Sequence, residues 1–221
     1  VCGCNDSTLN HIAERAVGRE HVFSALASAC QDFAEGDVGG GKGMICHGLK
    51  GGIGSASRVL AFDGRTYTIG ILVQSNHGVL SDLTVSGVNI GAGLARTLET
   101  RAADQGSIIA VLATDLPLDA RQLARVARRV SVGLARLGSH IDHGSGEVFV
   151  AFSTANPFDF RAENAVRMTT AFHEELLDLP FRAAAECAEE AVLNSMLTAH
   201  TVTGWQGNTV YALPELWRPG G

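Results

Sequence analysis

The chain has 221 residues, 46% hydrophobic and 18% charged, with a net charge of −6 at pH 7. That length and apolar content suffice for one domain with one substantial core, spanning residues 1–221. An acidic balance without a basic run or aromatic platform argues against nucleic acid as a partner, and no apolar run approaches the roughly 20 residues that cross a bilayer, so no membrane is expected either.

Five cysteines, Cys2, Cys4, Cys30, Cys46 and Cys187, are an odd set without the spacing of a disulfide framework. They favour a reducing compartment, and nothing at the start reads as a signal peptide. A cytoplasmic location is expected ahead of a periplasmic one. At the start of the chain, Cys2-Gly3-Cys4 has two thiols but no second pair, which falls short of a zinc site. Asn10 is a turn asparagine or a residue lining a pocket.

Residues 19–35 carry Val22, Phe23, Leu26, Ala29, Cys30 and Phe33 at helical spacing up to Gly36, which predicts a core-facing helix. Residues 36–54 hold nine glycines in nineteen positions. The run from Gly36 to Gly43 nearly spells a phosphate-binding loop, but Gly43 stands where a Ser or Thr would hold magnesium, and a helix precedes it rather than a strand. The glycines instead suggest close backbone approach, in a loop that wraps a site or feeds packed strands. Residues 57–63 and 66–74 read as strands joined through Asp63-Gly64, a type I′ hairpin dipeptide. Asn76 follows the second strand, where its amide is a turn residue or an oxyanion donor. Residues 83–90 read as a smaller hairpin around Ser86-Gly87.

Residues 96–105 show no period. After them, Gly106 and Ser107 open an almost unbroken apolar run to Asp115, a strand buried on both faces. From the residues alone, Ser107 is simply a small residue opening a core strand. Cleavage at Gly106-Ser107 would give it a second character, joining a hydroxyl nucleophile to an α-amine of reference pKa about 7.7–8.0. Pro117 suits a first helical turn, and Leu123, Val126, Ala127, Val130, Leu134 and Leu137 continue a stripe, with Arg121, Arg125, Arg128 and Arg129 on a solvated or subunit-facing side. Residues 139–146 form a loop in which His140, Asp142 and His143 are polar loop residues rather than metal ligands. A strand over 147–153 follows. In Ser145-Gly146-Glu147 a hydroxyl and a carboxylate project from one loop-to-strand junction. Helices are predicted over 161–177 and 180–199, and an edge strand over 209–213.

Long stretches of this sequence resemble the self-processing aminopeptidases of the DmpA family, the L-aminopeptidase/D-esterases and β-peptidyl aminopeptidases. They include Gly106-Ser107-Ile108-Ile109, Ala113-Thr114-Asp115, Phe152-Ser153-Thr154-Ala155-Asn156, Gly43-Met44-Ile45-Cys46-His47, Lys50-Gly51-Gly52-Ile53-Gly54 and Ala56-Ser57-Arg58. The resemblance implies a four-layer α-β-β-α sandwich, shared with the ornithine acetyltransferases and similar to the amino-terminal-nucleophile (Ntn) hydrolases. It implies autocleavage into residues 1–106, the carboxy-terminal part of an α subunit, and residues 107–221, a β subunit. Ser107 would then be the nucleophile, Asn76 the oxyanion donor, and Ser145 and Glu147 the partners in proton transfer. Asn10 would be a substrate contact.

The substrate implied is a short peptide, amide or ester with a free amino-terminal α- or β-residue. The assembly implied is a homo-oligomer, a tetramer of αβ units. No cofactor and no metal are called for, and activity is expected to resist chelators. Two departures stand out: Asn5 occupies the position of a family active-site tyrosine, and the family's amino-terminal part has no counterpart here. An inactive binding relative and an acyltransferase using the same serine are the alternatives, although acyltransferases of this fold usually begin with threonine.

Overall fold

The computed structural model describes residues 3–98, 106–157, 161 and 165–217. In chain order the elements are α1 (Arg19–Ala27), β1 (Ile45–Cys46), β2 (Leu49–Lys50), β3 (Gly52–Phe62), β4 (Arg65–Asn76), β5 (Thr84–Val85), β6 (Val88–Asn89), α2 (Gly91–Leu98), β7 (Ser107–Thr114), α3 (Ala120–Ala127), α4 (Val130–Arg136), β8 (Gly146–Ser153), α5 (Asp178–Leu197), β9 (Val202–Thr203), β10 (Thr209–Val210) and α6 (Leu213–Leu216). Cys2, most of the aperiodic stretch before Gly106, and residues 162–164 of the expected 161–177 helix lie outside the described residues.

The centre is a four-stranded sheet in the order β3-β4-β7-β8, antiparallel except for the parallel β7–β8 pair. Asp63 and Gly64 both take positive φ between β3 and β4, which makes the expected two-residue turn. One face of the sheet packs on α3, α4 and α5. Its inward side chains, Ile69, Ile71, Val73, Ile108, Ala110 and Leu112, are buried at alternate positions, each worth about 1–3 kcal/mol of transfer free energy. Helix α5 buries Ala184, Ala188 and Ala191, and small residues let it come close to its neighbours. A side chain at Gly54 would lie 2.0 Å from the Ala191 carbonyl oxygen, so the glycine belongs to strand–helix contact rather than to a loop.

Several expectations need correction. The strand at 107–114 is buried on one face only, because Ser107, Ile109, Val111 and Ala113 point to the sheet side away from the helices and stay half-buried. On that side Leu72, Val148, Val150 and Phe152 are exposed. Helix α1 ends at Ala27 and buries none of its residues, with Phe23 and Leu26 exposed, so it is not core-facing. The expected helix from Pro117 is two helices. Asp119 caps α3 by accepting from Gln122 N at 2.7 Å, and the chain turns at Arg128-Arg129 before α4. Arg125 and Arg129 lie over the Phe181 ring rather than on a merely solvated side. The described part of 161–177 is not helical apart from one 3-10 turn at Glu174–Leu176. Its backbone is bonded elsewhere: Asn156 donates to Thr170 O at 2.9 Å and accepts from Thr170 N, while Phe172 N donates to Pro117 O. The strand near 209 pairs with β9 in a separate ribbon and is not an edge of the main sheet. Helix α2 had no period to announce it.

Candidate active site

The candidate residues meet at one end of the sheet, where β4 finishes and β7 and β8 begin. Register places Asn76 opposite Ser107, and Ser107 opposite Gly146. Asn76 is therefore the last residue of its strand, not the first residue past it, because pairing with β7 extends β4 to that position. The preceding residue anchors it: Ser75 Oγ is 2.6 Å from Ser195 Oγ on α5. Asn76 is thereby turned to the opposite face, which it shares with Ser107.

The Asn76 side chain is almost wholly buried. Its Oδ1 accepts from Ile45 N at 2.8 Å, and its Nδ2 donates to the Asn5 carbonyl at 3.1 Å. A backbone N–H can face only the amide oxygen, so the sense of the amide is set and its NH₂ is the end that donates. One of the two Nδ2 hydrogens serves Asn5, and the second is left for another acceptor. Asn5, at the position where the family resemblance calls for tyrosine, thus takes part through its main chain.

Gly106 fits where no other residue would. A Cβ at that position would lie 1.9 Å from the Asn76 carbonyl oxygen. Its carbonyl accepts from Gly146 N at 3.1 Å, so the peptide before Ser107 already faces a backbone donor. The Ser107 side chain is half-buried, and its carbonyl oxygen faces the Cys4 thiol at 3.7 Å. Ser145 Oγ hydrogen-bonds the Glu147 carboxylate.

Glu147, however, is in register with Ile108, on the helix side of the sheet. Ser145 and Glu147 do not project directly at Ser107, and no hydrogen bond among the described residues joins them to it. Asn10 is exposed, and its amide donates to Asp6 at 2.9 Å rather than to any of these side chains. His140, Asp142 and His143 are exposed loop residues. Two groups were missed in the sequence. Lys50 is fully buried, and Cys46, His47 and His77 are brought within 4.8 Å of one another. A lysine in a glycine loop and three ligand-type residues split by a hairpin leave no local pattern to detect.

The chain is similar in sequence and in fold to known proteins. The chain is 42% identical over 225 aligned residues to the β-peptidyl aminopeptidase BapA of Sphingosinicella microcystinivorans, covering 95% of this chain and 57% of that protein. It superposes on a Pyrococcus horikoshii protein with TM-score 0.89 at 47% identity, covering 96% of this chain and 58% of that one. It superposes on the L-aminopeptidase D-Ala-esterase/amidase of Ochrobactrum anthropi, described as a variant of the Ntn-hydrolase fold, with TM-score 0.84 at 42% identity, covering 94% and 58%. The chain thus has the mixed α/β fold of those proteins and spans a little over half their length. The described residues supply one sheet and its helix layer. The model of Peptidase family S58 matches residues 1–210 and takes in every residue of the sheet end, and with the two superpositions it establishes that the chain belongs to that family.

Proposed function

We propose that this chain is the catalytic part of a self-processing serine aminopeptidase that removes amino-terminal α- or β-residues from short peptides, amides or esters. The observation that carries this reading is the Gly106-Ser107 peptide itself, held between Asn76 and the Gly146 N–H at the end of the sheet. In processing, Ser107 Oγ attacks the Gly106 carbonyl carbon and the developing oxyanion is stabilised by hydrogen-bond donors of the Gly146 N–H kind. The C–N bond breaks, the hydroxyl proton passes to the leaving nitrogen, and Gly106 becomes an ester on Ser107. Water then cleaves the ester, leaving a carboxylate on Gly106 and a free α-amine on Ser107.

In turnover the same hydroxyl attacks the bond after a substrate's first residue. The new α-amine serves as base, and Asn76 Nδ2 donates to the oxyanion. Ser145 and Glu147, joined to each other at the start of β8, stabilise the charged amine or relay its proton. The chemistry uses only side chains and backbone, with no cofactor. By resemblance the assembled enzyme is a tetramer of αβ units, which light scattering would measure.

The test is to incubate the pure chain with β-alanyl and α-aminoacyl p-nitroanilides, with and without an acceptor amine, and to determine its mass and amino termini. Release of nitroaniline together with a terminus Ser-Ile-Ile-Ala-Val is expected. An intact chain with full activity would overturn self-processing. Acyl transfer that strictly requires the acceptor would favour the acyltransferase, and a folded, silent chain the binding relative.

A further inference from the structure

The turn after β1 and the exit from β4 bring Cys46, His47 and His77 together in the interior. One ligand atom from each lies within 4.8 Å of the others. Cys46 and His47 are fully buried, and His77 is 1% exposed. The two segments are also bonded through their backbones, His47 N donating to His77 O at 2.7 Å. The His47 ring is oriented from behind: its Nδ1 lies 3.0 Å from the Val79 carbonyl, which makes Nδ1 the protonated nitrogen and leaves the lone pair on Nε2. Metal-bound histidines are commonly held in this way. Gly78 makes room for that ring, since a Cβ there would lie 2.5 Å from His47 Cε1. The His77 ring has Nδ1 3.9 Å from Cys46 Sγ, while its Nε2 is buried without a hydrogen-bond partner. A buried ring nitrogen left in that condition is costly unless something takes its lone pair or proton.

We propose that Cys46, His47 and His77 bind a d10 metal ion, Zn2+, through one thiolate and two neutral imidazoles. Thiolate and imidazole are the donors such an ion prefers. Tetrahedral zinc with Zn–S about 2.3 Å and Zn–N about 2.0–2.1 Å sets neighbouring S···N at about 3.6 Å, a spacing within reach of three ligand atoms that all lie within 4.8 Å of one another; with His77 binding through Nε2, its Nδ1–H faces the Cys46 sulfur. Small side-chain rotations close the set, and water fills the fourth position. Binding displaces the Cys46 proton to solvent. The imidazoles bind through a ring lone pair and need not lose one.

The ion acts as a fastener, not as a participant at the serine. Cys46 follows Ile45, whose N–H orients Asn76, and His77 follows Asn76, so the metal would tie both flanks of that amide. The site stands whether or not Ser107 is the nucleophile.

The experiment is a Co2+ titration of the reduced, metal-stripped full chain, with Zn2+ as competitor. A thiolate-to-cobalt charge-transfer band should saturate at one equivalent and be displaced by zinc. It should vanish in Cys46→Ala and His77→Phe and persist in Cys4→Ser and Cys30→Ser. X-ray absorption of the zinc-loaded wild-type chain needs no variant and should give one sulfur at about 2.3 Å and imidazole nitrogens at about 2.0 Å. Absence of the band, its survival in Cys46→Ala, or a zinc shell with no sulfur or with two would overturn the proposal.

Discussion

Asn76 is where the backbone and the amino-terminal loop meet at the proposed site. Its amide is oriented by Ile45 and shares one hydrogen with Asn5, and in the proposed mechanism the other serves an oxyanion. Asn76→Ala should lower turnover by on the order of a hundredfold or more and slow cleavage before Ser107 as well, because both steps pass through a tetrahedral oxyanion. Stopped-time gels and initial rates would measure the two effects, and near-normal values for both would remove Asn76 from the site. Glu147→Gln keeps the bond to Ser145 possible while removing charge. Its expected effect is a changed pH profile of kcat, with cleavage less affected, since Glu147 lies on the far side of the sheet from Ser107.

The glycine-rich segment before β3 acts as an element because one cation organises it. Lys50 Nζ donates to the carbonyls of Gly41, Met44 and Gly51, each at 2.8 Å. Burial pushes its pKa down to about 8. Lys50→Met would remove the ammonium from all three carbonyls, of which Gly41 O and Met44 O keep backbone donors in Met44 N and Gly51 N, a loss on the order of 1–3 kcal/mol that urea unfolding would detect. An unchanged midpoint would show that the loop does not need the ammonium. The same segment is tied to the end of α5 through Asp37. Burial works against its charge, but hydrogen bonds from Lys42 Nζ at 2.7 Å and from His200 outweigh this and hold the carboxyl far below its usual range. The unfolded chain therefore takes up the proton first, and this stabilisation is present above the ordinary aspartate pKa of about 4 and lost as pH falls below it. Asp37→Asn should lower stability at neutral pH and flatten the acid limb of a stability–pH curve. A parallel curve would mean that the carboxylate is not the source.

At the scale of the whole molecule the sheet is covered unevenly. Helices α3, α4 and α5 pack on one face, whereas Leu72, Val148, Val150 and Phe152, each at least 40% exposed, lie on the other beside a shallow groove lined by Ile53, Ile109 and Val111. A contiguous apolar face of this kind is rarely left to water. The isolated 221-residue chain should bind a fluorescent apolar dye such as anilinonaphthalene sulfonate in its native state, and Val150→Thr with Phe152→Thr should reduce the signal without changing the far-UV spectrum. No dye binding by the wild-type chain would show that this face is closed in solution. Among the described residues no helix is long and apolar enough to cross a membrane.

The strands on either side of Asp63-Gly64 and the strand from Ser107 were legible in the sequence because a hairpin dipeptide and an apolar run are local signals, and these matched paired strands. The family was legible because its motifs are long, and the same motifs carried Ser107, Asn76, Ser145 and Glu147 as candidates. Local pattern failed where backbone groups found distant partners. Residues 161–177 were read as a helix, but Asn156, Pro117 and Gln122 take hydrogen bonds of its described part across the fold. The spacing of α1 looked core-facing, but none of its residues is buried among the described residues. Register alone decided that Asn76 shares a face with Ser107 while Glu147 does not, since side chains alternate across a strand and a one-residue shift would reverse the assignment. Tertiary structure alone gathered Cys46, His47 and His77, because their closeness depends on where β4 ends against the turn after β1, which no spacing in the chain encodes.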